Sequence, residues 1–152
     1  MSDLFNGLNI ISNINISRWN VDNVKNMNHM FAQCQFFNCN LNDWNVSNVE
    51  NMSYMFSGCT YFNSNLSKWN ICNVHSFCGM FFNCFSFSGN GLDKWLVDTV
   101  KNKIFNMNNM FYNCVKFNCN LNNWKISPDF FQTINMFKSC NSLKYWPKWF
   151  KN

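Results

Sequence analysis

The sequence predicts a repeat solenoid: a parallel β-solenoid of short strands and short helical turns, about five coils with a cap at each end. Two observations predict it. Tryptophan recurs at Trp19, Trp44, Trp69, Trp95, Trp124 and Trp149, in steps close to 25 residues. Between tryptophans one pattern recurs, W-N-V-x-N-V-x-N-M-x-x-M-F-x-x-C-x-x-F-N-x-N-L-x-x, seen most cleanly over 44–68. A fixed period in the range of roughly 20–50 residues is the signature of a stacked array, because each unit buries its apolar face only against its neighbours.

In chain order, residues 1–18 read as an N-terminal cap. The run Asn13-Ile14-Asn15-Ile16-Ser17-Arg18 aligns with Asn38-Cys39-Asn40-Leu41-Asn42-Asp43, and Leu4-Phe5 stand near where Met-Phe belongs. Terminal repeats are usually atypical. Units one and two, 19–43 and 44–68, follow without a gap. Unit three, 69–94, carries one extra residue near Gly89-Asn90-Gly91, where glycines suit a tighter turn. Unit four, 95–123, is longer by four, and the extra residues fall around Lys101-Asn102-Lys103. Insertions of this kind map to loops on one face, often a binding face. Unit five, 124–148, keeps Met136-Phe137 and Cys140, puts Leu143 where Phe is usual, and carries Pro128. Residues 149–152 close the single domain.

Within a unit, Met52, Met55 and Phe56 stand at i, i+3 and i+4, which predicts one face of a short helical turn. Asn51 or Ser53 is the expected cap. From 62 to 74, apolar and small polar residues alternate, which predicts one or two strands of three or four residues.

Composition excludes several classes. Asparagine numbers 32 of 152 residues, far above ordinary usage, and charged residues are only 12%. Aromatic richness with low charge argues against disorder. No apolar run approaches the ~18 residues of a transmembrane helix, and the first residues lack the basic and apolar regions of a secretion signal. The nine cysteines, an odd number, fit free thiols in a reducing compartment. The expected location is intracellular or within a virion. Net charge is +5, unevenly spread: 1–93 holds three cations against five acids, and 94–152 holds nine lysines against Asp98 and Asp129. One end is therefore expected to meet an anionic partner.

No catalytic constellation stands out, and neither a metal nor a cofactor is expected. Cys34, Cys59, Cys84, Cys114 and Cys140 share one repeat position, and Cys39 and Cys119 share another. A zinc site needs four converging ligands, whereas a column spreads its thiols along an axis. The reading here is buried cysteines acting as small hydrophobes. His75 and Cys78 stand three apart, yet a triad needs an orienting third group and an oxyanion hole. The asparagine columns are expected to bond turn backbone and one another. The N-x-S sequences at Asn15, Asn45, Asn51 and Asn65 follow from the abundance of both residues.

The segments W-N-V-S-N-V, N-M-S-x-M-F and C-x-x-F-N-x-N-L-S resemble the repeats of BspA-like surface proteins, a DUF285-type family related to leucine-rich repeats. The resemblance covers about 13–149. It implies a leucine-rich-repeat-like solenoid with an adhesive or protein-interaction role, and it carries over no catalytic residue. Family members usually have Ala or Ser where this chain has Cys59.

The function expected is a non-catalytic structural or protein-interaction scaffold, in a large-DNA-virus particle or as an intracellular effector. The alternatives are a nucleic-acid- or anion-binding module and a surface adhesin. The partner-binding candidates are Lys101, Lys103, Lys144, Trp146, Lys148, Trp149, Phe150 and Lys151. Their lysines would meet an acidic protein or phosphates, and their aromatics would anchor a protein or stack on bases.

Overall fold

Hydrogen-bonded turns, rather than strands or helices, build every unit. The structure is a computed structural model and describes residues 1–9, 14–130 and 132–151. Among these residues regular structure is limited to one 3-10 turn, Leu92–Lys94, and isolated parallel bridges. The bridges join Asn26 to Asn51, Asn51 to Ser76, Ser76 to Asn106, and Asp98 to Lys125. The expected parallel β-solenoid of short strands and helical turns is therefore wrong. No strand forms over 62–74, and no helix forms over 52–56. Asn13 and Asn152, assigned from sequence to the two caps, lie outside the described residues.

The physical reason lies in where the N–H groups point. In unit two, the N–H groups of Met55, Ser57 and Cys59 donate to Met52, Tyr54 and Phe56 carbonyls three residues back. The N–H groups between them, on Met52, Tyr54, Phe56 and Gly58, donate to Ser76, Cys78, Met80 and Phe82 carbonyls in the next unit. A helix sends every N–H four residues back along its own chain. A strand sends none of them to a local turn. This alternation excludes both.

Left-handed residues sustain the alternation. Tyr54 (φ 55°) and Gly58 (φ 76°) each stand third in a four-residue turn, where a type II turn requires positive φ. The same pair recurs as His29/Gln33, Gly79/Asn83, Asn109/Asn113 and Asn135/Ser139, and as Asp3/Gly7 in the N-terminal segment. The M-x-x-M-F spacing thus brings its side chains to one side through overlapping turns. Gly79 is needed for space as well as for φ, because the Tyr54 ring lies where its Cβ would be.

Asparagine closes other turns. The Oδ1 atoms of Asn45, Asn51, Asn65, Asn106 and Asn120 each accept the N–H two residues on. This Asx-turn is the local bond that an asparagine amide makes most readily. Asn51 therefore closes a turn at Ser53 instead of capping a helix. Around Gly89-Asn90-Gly91, Gly91 adopts φ 89° and begins the 3-10 turn.

Successive units lie one over the next. Phe5, Phe31, Phe56, Phe81, Phe111 and Phe137 form one column with ring centroids 5.5–5.8 Å apart. Trp69, Trp95, Trp124 and Trp149 form another, 6.2–6.4 Å apart. The core is continuous from Ile16 to Leu143. No isolated unit could build it.

Candidate functional site: the basic aromatic end

Polar handles on buried side chains tie each unit backward, the thiol to the unit just before it and the indole, which opens its unit, to the end of the unit before that. The indole N–H groups of Trp44, Trp69, Trp95, Trp124 and Trp149 donate to the Ile16, Leu41, Leu66, Leu92 and Leu121 carbonyls. The thiols of Cys34, Cys59, Cys84, Cys114 and Cys140 donate to the Phe5, Phe31, Phe56, Phe81 and Phe111 carbonyls at 2.9–3.0 Å. Cysteine here is more than a small hydrophobe. It supplies a buried donor to the preceding unit's backbone.

Burial raises these thiols well above their ordinary range. Cys34 is pushed up to about 11 and Cys140 to about 12. Cys59, Cys84 and Cys114 are raised as well, first by burial and then by neighbouring thiols of the column. Groups so reluctant to ionise are poor nucleophiles and poor metal ligands. Cys78 donates to the Tyr54 hydroxyl at 3.5 Å, and the hydrogen bond between them and burial raise Tyr54. Among the described residues no three His, Cys, Asp or Glu side chains converge as metal ligands.

The two ends of the stack differ from the middle. Over unit five lies a groove of about 510 Å³ lined by Ile126, Pro128, Phe130, Ile134, Phe137, Trp146, Trp149 and Phe150, with Lys138 and Lys151 among its walls. Trp149 rests flat on Trp124 at 6.2 Å. Trp146 and Phe150 stand edge-on to Phe137 at 5.8 and 5.0 Å, and Trp146 is 47% exposed. Lys144 and Lys148 are fixed nearby by backbone N–H bonds to the Asn118 and Asn122 side chains.

Of the eight residues expected from sequence, the groove gathers Trp146, Trp149, Phe150 and Lys151. Lys144 and Lys148 flank them in the chain without lining the groove. Lys101 and Lys103 belong to a separate loop, held by Asp98, whose carboxylate accepts the Lys101 N–H. That loop exposes Val100 and Phe105 and is not part of the groove. Sequence reading missed Ile134. A signal existed for Ile134, since its repeat position holds Asn28, Ser53, Cys78 and Asn108 in the other units. An apolar residue replaces polar ones only in the last. Lys138 lies over the Tyr112 ring at 5.7 Å, continuing a column that begins with Phe82 stacked on Tyr112.

Charge reinforces the contrast. Among the described residues the ion pairs are Lys25–Glu50, Lys68–Asp43 and Lys94–Asp93. Lys138, Lys144, Lys148 and Lys151 have no carboxylate within salt-bridge distance there.

These features define a class: a repeat protein of stacked, turn-built units with a closed core and one open, basic, aromatic end. The chain belongs to the family described as Mycoplasma protein of unknown function, DUF285, whose model matches residues 1–105 and 92–149. This is the family of the BspA-like surface repeat proteins, as the repeat motif indicates. No curated protein and no solved structure matches the chain. Among the described residues no helix is long and apolar enough to cross a membrane.

Proposed function

We propose that this chain is a non-catalytic scaffold that binds a protein at the groove over unit five. The observation that carries the reading is the coincidence of three features there. Exposed Trp146 and half-buried Trp149 and Phe150 pack on buried Phe137 and Trp124, an apolar hollow lies beside them, and the lysines around it lack carboxylate partners among the described residues. Aromatic anchors in a hollow with a polar rim are what a protein interface requires. A catalytic reading has less support, because the column thiols are hydrogen-bonded and hard to ionise. Nine free thiols suit a reducing cell interior or a virus particle.

The test is capture of a partner by the intact protein and by a Lys144→Glu/Lys148→Glu/Lys151→Glu variant, followed by titration of the purified partner. The expected result is a saturable complex that the charge reversal weakens at least tenfold. Equal binding by both proteins would remove the basic end from the interface. A second reading, phosphate and base stacking on single-stranded nucleic acid, rests on exposed Trp146 beside the same lysines. It predicts affinity falling steeply with salt, roughly as the number of phosphates neutralised.

A further inference from the structure

The face of unit five has a counterpart at the other end of the stack. At the unit-five face, the N–H groups of Asn135, Phe137 and Ser139 meet no acceptor among the described residues. In every earlier unit the equivalent groups donate to the next unit. Asn109, Phe111 and Asn113, for example, donate to the Ile134, Met136 and Lys138 carbonyls at 2.7–3.0 Å. The acceptor is always one residue before the donor's counterpart.

At the N-terminal face the converse holds. Asp3, Phe5 and Gly7 donate inward, to the Asn28, Met30 and Ala32 carbonyls of unit one. The Ser2, Leu4 and Asn6 carbonyls, which alternate with them, receive no donor among the described residues. Asp3 and Gly7 have the positive φ of the Asn135/Ser139 pair, and Phe5 already stacks on Phe31 as one member of the Phe column. Leu4 and Leu8 are exposed on this segment. Residues 1–8 are therefore shaped as the turn segment that a unit six would present.

We propose that the unit-five face docks the N-terminal turns of a second copy of this chain, head to tail and in register. This rests on the reading of that end as a protein-binding site and names its partner. In register, Asn135, Phe137 and Ser139 donate to Ser2, Leu4 and Asn6 of the second copy, and Phe5 follows Phe137 in the Phe column. The Asp3 carboxylate comes over Asn135, three residues from Lys138, which has no carboxylate partner among the described residues, so charge favours this docking. The excess of lysines over acids in 94–152 against the slight acidic excess of 1–93 acts in the same direction. Phe150 and Trp146, both edge-on to Phe137, must swing aside for Phe5 to stack. Because the two faces differ, the contact is heterologous and does not close at two copies.

The experiment is sedimentation and light scattering of the full chain from micromolar to millimolar concentration, with variants blocked at one face each. Ile134→Arg blocks the unit-five face, and Leu4→Arg blocks the N-terminal face. Circular dichroism and thermal melting confirm that each variant is folded, and an unfolded one is replaced by Lys138→Glu or Asp3→Lys. The wild-type mass is expected to rise continuously with concentration. Each blocked variant alone stays monomeric, and an equimolar mixture of the two stops at a dimer. Phe150→Ala associates more tightly than wild type. A wild-type monomer throughout, a plateau at two copies, a mixture that stays monomeric or exceeds the dimer, or weaker association of Phe150→Ala overturns the proposal. Loss of self-association with retained capture of another protein sinks this inference alone. Failure of both sinks the binding end itself.

Discussion

Units two and five follow one pattern and end in different chemical situations. In unit two, Phe56 lies between Phe31 and Phe81, 5.7 Å from each, and its N–H finds Met80 in the next unit. In unit five, Phe137 has Phe111 stacked on one side at 5.5 Å and only the edges of Trp146 and Phe150 on the other. The Trp44 indole and Cys59 thiol of unit two donate backward to Ile16 and Phe31, and the carbonyls of Phe56 and Leu66 receive the Cys84 thiol and the Trp95 indole from further along the stack. Stability in such a stack belongs to the interface between neighbours as much as to the unit. A unit with a neighbour on one side keeps half its interface for something else.

The largest test of this contrast is truncation of one ring inside the Phe column and one at the open end. Phe56→Ala should cost about 3–5 kcal/mol, since it empties a site packed on all sides. Phe150→Ala, which removes a ring from the open end, should cost about 1 kcal/mol or less. Denaturant unfolding of both variants measures the ratio, and equal losses would erase the distinction between middle and end.

A second test removes a donor and keeps most of the ring. Trp69→Phe leaves the buried Leu41 carbonyl without its 2.8 Å indole bond, at a cost of about 1–3 kcal/mol plus lost packing. Trp149→Phe does the same to Leu121 where solvent can reach, and should cost less. Backbone space gives a third test. Gly91→Ala puts a Cβ 2.5 Å from the Ser67 backbone nitrogen at φ 89°, so roughly 1–3 kcal/mol of stability should be lost. An unchanged melting temperature would show that the turn can relax.

The smallest effect is in pH. The column thiols have folded values above the ordinary 9.0, with Cys34 near 11 and Cys140 near 12. The folded chain therefore holds these protons more tightly than the unfolded chain does. Their contribution is complete below about pH 9 and is lost as pH rises from there through the folded values. Stability measured from pH 7 to 10.5 should fall only at the alkaline end. Replacing Cys59 and Cys84 by Ala should flatten that fall. A stability that rises above pH 9 would contradict the thiol environment described.

The columns themselves were legible in the sequence. The tryptophan period placed Trp69, Trp95, Trp124 and Trp149 over one another, and Leu4-Phe5 were recognised in the Met-Phe position. The local geometry was not legible. Spacing of i, i+3 and i+4 is shared by a helical turn and by overlapping four-residue turns. What separates them is positive φ at Tyr54 and Gly58, and their counterparts are residues as varied as His29, Gln33, Asn83 and Ser139. Only the frequent asparagines and Gly58 and Gly79 pointed that way. The cysteine column looked apolar because a thiol's donor role depends on a carbonyl 28–33 residues away in sequence. The groove needed Ile126, Ile134 and Phe137 beside Trp146, Trp149 and Phe150, and no spacing rule joins these residues.

By itself the sequence determined the period, the side chains that face the core, the family and the uneven charge. These follow from composition and position, which local physics reads directly. Tertiary structure alone decided whether each N–H turned to its own chain or to the next unit. A backbone donor has no identity of its own, and its partner is set by which carbonyl the stacked neighbour brings within reach.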